Sequence, residues 1–421
     1  MADKKSRNWN KLDNAAKIFP PTVSERDGKV FRCSCQLLDY VDPIILQVAL
    51  NKTVQKFPFY RSVLKRGLFW YYLEESEIEP KVSTDNLVVC SRLYSSSVKS
   101  LLFRITYYRK RISLEVYHAL SDGTGAVEFL RTLIGYYLKL KNIDELKDKD
   151  IEIESDSSYE DKAQDSFYKY YDEAGLDLNT KNVKAYRPRG EKIPLGSQEV
   201  IEAKLNVKQL LELSHSYEGT MTAFLVGLLM KSIEIHMAER DKKKPVVVSV
   251  PVNLRNYFES SSARNFFGVV NISYDFSNQS DKLEDIIKFV DENMKKQLKI
   301  DKLKKRITKL SKLENLFIAR IIPTGIKNIA MKIGYYFGDR ALTAALSNVS
   351  RIIMPDELNE YIDYFSIMNC TKKLQVTICS YKDICAVTFT SPWVSKSIQR
   401  SFYKFFSENG VDVEINSNYW D

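Results

Sequence analysis

Among the side chains of this sequence, His118 stands where an acid–base group is most useful. It follows Ile112-Ser113-Leu114-Glu115-Val116-Tyr117, in which Ile112, Leu114 and Val116 alternate with polar residues as the inward face of a half-buried strand does. Parity, carried on by two residues, places His118 on that same face. Gly123 and Gly125 then interrupt the pattern, and Ala126 to Ile134 resumes with helical spacing. An inward imidazole at a strand-to-helix turn, in a site that excludes water, can exchange a proton near neutral pH. The other two histidines, His215 and His236, fall at or near expected helix ends with no motif around them, and read as structural.

The elements that must position His118 are legible on both sides of it. Lys29 to Leu38 reads as a strand. Asp42-Pro43 opens a helix in the favoured way, a capping residue and then proline in the first turn, and Ile44 to Phe57 carries the apolar face until Pro58 stops it. Leu68 to Leu73 is a dense aromatic stretch with strand character. Phe103-Ile105-Tyr107 and Ile112-Leu114-Val116 form a hairpin turning at Arg109-Lys110. Between Leu140 and Lys192 periodicity weakens and acidic residues crowd from Asp144 to Asp165, with helical character around Phe167 to Tyr171; this reads as a solvated crossover between two halves. Beyond it, Gln198 to Leu205 reads as a strand, Val207 to Ser214 as a helix and Thr220 to Glu239 as a long buried helix. The β-branched run Pro245 to Val252 reads as a buried strand leading into Asn253-Leu254-Arg255, and Asn265 to Tyr274 as the next strand. Leu283 to Leu316 is helical and basic around an apolar stripe of Ile300, Leu303, Ile307 and Leu310. Strands near Leu374 to Cys379 and Ala386 to Thr390 and a helix from Pro392 to Glu408 close the chain.

Tyr117-His118-Ala119-Leu120-Ser121-Asp122-Gly123 resembles the HHxxxDG signature of the CoA-dependent acyltransferase superfamily, which includes chloramphenicol acetyltransferase, condensation domains, plant acyltransferases and alcohol acetyltransferases. The order of helix, aromatic strand and hairpin before it is similar to the bacterial alcohol acetyltransferase-like branch. The resemblance implies an α/β fold of two chloramphenicol acetyltransferase-like halves, here 1–180 and 181–421, each a mixed sheet flanked by helices, with a channel between them. It implies that His118 is the general base and that Asp122 and Gly123 complete the catalytic motif, with Tyr117 replacing the signature's first histidine. Pro251-Val252-Asn253-Leu254-Arg255 is similar to the segment whose arginine pairs with the motif aspartate, so Arg255 is expected to support Asp122. A planar guanidinium is suited to both oxygens of a buried carboxylate. Ala345-Leu346-Ser347-Asn348-Val349-Ser350 resembles the Ser-Asn segment beside the reaction channel, where Ser347 and Asn348 are candidates for oxyanion or substrate contact.

The activity implied is transfer of an acyl group from a thioester, acyl-CoA as cosubstrate, to an alcohol or amine, with no bound cofactor and no covalent acyl-enzyme. Consistent with that, the chain carries no GxSxG elbow and no cysteine beside a histidine. Two rivals share the fold: a stand-alone condensation-type domain fed by an acyl carrier protein, and a non-catalytic binding protein. The basic helix permits contact with a carrier protein, an acidic membrane surface or the phosphates of coenzyme A.

Composition sets outer limits. The 421 residues are 44% hydrophobic and 12% aromatic, enough to bury one large core or two ordinary ones. The net charge of +9 comes without a zinc finger, an RNP-like aromatic motif or a helix-turn-helix, which argues against nucleic acid. Three histidines and six cysteines, none in a CxxC pair, offer no zinc spacing and no disulfide framework. The basic N-terminus precedes no apolar segment of signal-peptide type, and the run Met221 to Met230 is too short to span a bilayer, so a cytoplasmic protein is expected.

Overall fold

The structure, a computed structural model, describes residues 9–147, 184–315 and 321–418, together with 149, 151, 153, 166 and 167. Two sheets carry the architecture. The first has five strands in the order Ile362–Asn369, Val30–Leu37, Arg111–Tyr117, Phe103–Tyr108, Val82–Thr84, antiparallel except at the last pairing. The second has seven, in the order Phe267–Tyr274, Val246–Asn253, Ala344–Arg351, Leu374–Tyr381, Ile384–Ser391, Glu199–Asn206, Val413–Ser417. Ala344–Arg351 runs parallel to both its neighbours, so this sheet too is mixed. A small antiparallel sheet joins Trp9–Lys11, Tyr71–Glu75 and Ser62–Arg66.

Each large sheet has its own core. Leu46, Leu50 and Val54 of helix Pro43–Lys56 and Phe129, Leu133 and Tyr137 of helix Gly123–Lys141 pack with Cys33, Leu114 and Val116 of the first sheet. Phe224, Leu228 and Met230 of helix Met221–Glu234 and Phe402 and Phe406 of helix Ser397–Glu408 cover the second. Helix starts follow from local chemistry. Asp42 accepts hydrogen bonds from the Ile44 and Ile45 amides at 2.8 and 3.1 Å, with Pro43 behind it. Thr220 caps Met221–Glu234 by accepting from the Ala223 amide at 3.2 Å.

Several sequence expectations are corrected. Leu68, Phe69 and Trp70 are not strand; they form the tip of a hairpin closed by the Gly67 amide donating to the Trp70 carbonyl, and pairing begins at Tyr71. The long buried helix ends at Glu234, five residues before the expected Glu239. The basic segment is two helices, Leu283–Gln297 and Ile300–Asn315, with Leu298 ending the first. Within the second, Leu303 and Ile307 are buried while Ile300 is half exposed; Lys309, Leu310 and Lys312 lie outside the described side chains. Most of the acidic crossover, including the expected boundary near residue 180, lies outside the described residues. Strand Ile362–Asn369 was not expected at all: it returns from the second half of the chain to edge the first sheet against Val30–Leu37. No described helix is long and apolar enough to cross a membrane.

Candidate active site

Strand Arg111–Tyr117 ends one residue before His118, whose amide donates to the Lys29 carbonyl at 2.8 Å. Tyr117 turns into the core of the first lobe, fully buried and stacked on Tyr94 at 5.4 Å. His118 turns the other way, into a cavity of about 500 Å³ that both lobes line. Phe19, Phe31, His118, Asp122 and Gly123 come from the first lobe, and Ser249, Asn271, Ser347, Asn348 and Thr377 from the second.

Aromatic rings confine the imidazole. Phe19 stacks on it at 4.7 Å, Phe31 tilts against it at 4.8 Å, and Phe267 approaches at 5.8 Å. Burial therefore holds its pKa below the usual 6.5; the Asp122 carboxylate and the hydrogen bond that its ring donates to Asn265 oppose this without overcoming it.

That hydrogen bond also settles which nitrogen is basic. The Asn265 amide nitrogen donates to the Asp13 carboxylate and to the His118 carbonyl, both at 3.0 Å. A carbonyl can only accept, so the other end of the amide, 3.3 Å from His118 Nδ1, is oxygen, and Nδ1 carries the proton. Nε2 is left with the lone pair. Asp13 is fully buried, accepts from the Ala16 amide at 2.7 Å and lies 3.6 Å from Arg264; burial raises its pKa against these partners.

Asp122 is held differently. It caps helix Gly123–Lys141, with Oδ1 accepting from the Gly125 amide at 3.0 Å. Its Oδ2 accepts from Arg255 Nη1 at 2.8 Å and from the Phe266 amide at 2.9 Å. The expected pairing is present, though Arg255 meets one carboxylate oxygen rather than both. The rest of its guanidinium donates to carbonyls, Nε to Ser262 at 2.9 Å and Nη2 to Ser262 and Arg264 at 2.7 and 2.5 Å. The clamp thus ties the start of the helix to the loop that carries Asn265.

Two glycines follow, and their environments differ. A Cβ on Gly123 would meet nothing closer than Val349 at 3.6 Å, an ordinary contact. A Cβ on Gly125 would fall 1.9 Å from the Ala263 carbonyl oxygen and 2.5 Å from Ser121 Oγ. The close approach of helix and loop therefore rests on Gly125, outside the motif, and Ser121 Oγ seals it by donating to the same Ala263 carbonyl at 2.6 Å.

Ser347 and Asn348 both line the cavity, on a strand in the middle of the second sheet. Asn348 is committed locally. Its amide nitrogen donates to Thr222 Oγ1 at 3.1 Å, and its oxygen accepts from the Ser350 amide at 2.9 Å, beside a register shift in the strand. The Ser347 hydroxyl has no hydrogen-bond partner among the described residues. Lys29, also in the cavity wall, donates to Asp27 at 2.6 Å and to the Tyr335 hydroxyl at 2.8 Å, and its charge further disfavours protonation of His118.

Sequence reasoning brought together His118, Asp122, Gly123, Arg255, Ser347 and Asn348; the structure places all but Arg255 in the cavity lining, and Arg255 behind it on Asp122. It missed the parts played by Asn265, Asp13 and Gly125. Only Gly125 left a usable signal, as the second glycine of Gly123-Thr124-Gly125.

In comparisons by sequence, no family model and no curated protein matches this chain. Solved structures do match its fold over nearly the whole length. The TRI3 trichothecene 15-O-acetyltransferase of Fusarium sporotrichioides matches with a TM-score of 0.63 at 11% identity, over 96% of this chain and 94% of that one. TRI101 of F. graminearum, solved with coenzyme A and T-2 mycotoxin, matches at 0.64 and 9% identity, over 96% and 99%. The starter condensation domain of rhizomide synthetase, in complex with C8-CoA and Leu-SNAC, matches at 0.59 and 10%, over 95% and 93%. Identities this low show the fold alone: the two-lobed, chloramphenicol acetyltransferase-like arrangement shared by CoA-dependent acyltransferases and condensation domains.

Proposed function

We propose that this chain is an acyltransferase that moves an acyl group from a thioester, acyl-CoA, to an alcohol or amine. The observation that carries the reading is an imidazole whose Nδ1–H donates to Asn265 Oδ1, leaving Nε2 as its basic nitrogen, in a cavity that both lobes line. In the mechanism, His118 Nε2 takes the proton of the acceptor hydroxyl or amine as its oxygen or nitrogen attacks the thioester carbonyl. Ser347 Oγ donates a hydrogen bond to the oxyanion of the tetrahedral intermediate. The intermediate collapses by breaking the carbon–sulfur bond, and the imidazolium returns its proton to the departing thiolate. No covalent acyl-enzyme is needed, and acyl-CoA enters as a cosubstrate rather than a bound cofactor.

The other site residues support this chemistry without touching the reacting atoms. Asp122 and Arg255 hold the turn in shape, Gly125 lets the helix approach the loop, and Asn265, anchored by Asp13, orients the imidazole. Asn348 shapes the cavity wall. The similar structures include an acetyltransferase, a complex with coenzyme A and a complex with an acyl-CoA, which supports a thioester donor.

The test is release of free thiol from a panel of acyl-CoA donors of graded chain length, with and without pooled alcohols and amines. Acceptor-dependent release is expected. Release from carrier-protein-bound donors only would move the protein to the condensation-type reading, and release from neither donor class, with acceptors present, would leave a binding protein on the same fold.

A further inference from the structure

Helix Thr324–Arg340 has a used face and an unused one. On the used face, Tyr335, Gly338 and Asp339 line the cavity, and Asn328 donates to the Tyr71 hydroxyl at 2.8 Å. Lys327 donates to the Phe69 carbonyl at 2.8 Å and sits 3.4 Å over the Trp70 ring. On the other face Ile326, Ile329, Ile333, Tyr336 and Phe337 are between 54% and 61% exposed. Their spacing puts all five on one stripe, about 16 Å long at 1.5 Å per residue. The hairpin tip continues it. Leu68 is 71% exposed, and its carbonyl accepts from the Thr324 amide at 2.7 Å, which fixes the tip to the first turn of the helix. Scattered exposed apolar residues are ordinary, whereas a contiguous patch of large ones marks a surface that something covers.

Charge identifies the occupant. The hairpin tip from Lys65 to Tyr72 and the helix from Thr324 to Arg340 hold one acidic residue, Asp339; Glu74 and Glu75 lie at the far end of the hairpin, opposite Val63 and Ser62. Asp339 is turned away from the stripe, ion-paired with Lys373 and Arg187. The flanking charges are cations: Lys65 and Arg66 on the hairpin, Lys332 and Arg340 on the helix. The Arg66 guanidinium lies directly against the helix start, 3.3 Å from where a Cβ on Gly325 would be. Two copies meeting through this same face would bring its cations together, with Asp339 turned away and Glu74 and Glu75 at the far end of the hairpin. An acidic protein would satisfy the charges but has no need of five large apolar side chains in a row. An anionic bilayer satisfies both, hydrocarbon for the stripe and phosphate for the rim. We propose that the outer face of helix Thr324–Arg340, with the Gly67–Trp70 hairpin tip, docks the protein on an anionic phospholipid surface. This assignment is independent of acyl transfer.

The experiment is co-sedimentation of the full chain with vesicles of phosphatidylcholine alone and of phosphatidylcholine mixed with phosphatidylserine. The native chain is expected to bind the mixed vesicles, and less so as salt is raised. The double variant Ile329→Glu, Phe337→Glu should lose at least about tenfold in binding, since two buried apolar groups become charges at the interface. Arg66→Glu and Lys332→Glu should each lose about fivefold or more. Should the glutamate pair melt early by circular dichroism, Ile329→Ser with Phe337→Ser replaces it, with the same direction expected. Three results overturn the proposal: no binding to either vesicle, binding unchanged in folded apolar-face variants, or a native dimer or carrier-protein complex that those variants dissociate while vesicles are ignored. His118→Ala should bind vesicles as the native chain does, which separates this test from that of the activity.

Discussion

His118 and Asp122 lie within one turn of chain, yet their surroundings differ in kind. The imidazole is pressed between aromatic rings, makes one side-chain hydrogen bond to Asn265 and faces the cavity. The carboxylate is saturated, taken up by the Gly125 and Phe266 amides and by Arg255. On the proposed reading, the group that gains and loses a proton is left with a free lone pair and a desolvated ring. The group that holds shape has every oxygen occupied. That reading divides chemistry from architecture inside a single motif, and substitutions can break each side of it separately.

The largest stability effect is expected at the clamp. Asp122→Ala or Arg255→Ala leaves a buried charge without its partner and should cost about 3–5 kcal/mol in urea unfolding. The double variant should cost clearly less than the sum of the two, and strict additivity would show that the pair is not coupled. Next come the glycines. Gly125→Ala should cost about 3 kcal/mol, the upper end for overpacking against rigid backbone, while Gly123→Ala stays within about 1 kcal/mol, by the same unfolding measurement. Equal costs would place the close approach elsewhere.

Asn265→Ala belongs to the other side of the comparison. It strips a donor from the buried Asp13 carboxylate and should cost about 1–3 kcal/mol. It also removes the acceptor that favours the protonated imidazole, so the acid limb of the pH–rate profile should move to lower pH. The smallest effect is in the native profile itself. A base is active when deprotonated, and burial lowers the pKa of His118, so activity should fall on acidification with a midpoint below 6.5. The linked stability has the same sign: an imidazole kept neutral in the fold loses stability as pH drops below its unfolded value, towards and through the folded one.

Much of this site could be read from sequence because its signals are local. Alternation in Ile112 to Val116 carried His118 to the correct face, and the motif supplied Asp122 and Gly123. Asp42-Pro43 marked a helix start that the structure shows. The misses have a common cause. Leu68 to Trp70 has strand-like composition, but the tertiary pairing of Ser62–Arg66 with Tyr71–Glu75 makes it a turn. Strand Ile362–Asn369 is placed by pairing with a strand some three hundred residues earlier in the chain. Asn265 reaches His118 across 147 residues and Asp13 across 252, contacts that no window of sequence contains. Gly125 matters because of the Ala263 carbonyl, which only the packed loop brings near.

The central claim, that His118 is the base of an acyl transfer, is tested most directly by the turnover of His118→Ala with the donor and acceptor that serve the native protein best. The account predicts a loss of about 100- to 10,000-fold with the variant still folded by circular dichroism. Turnover equal to that of the native protein would contradict it.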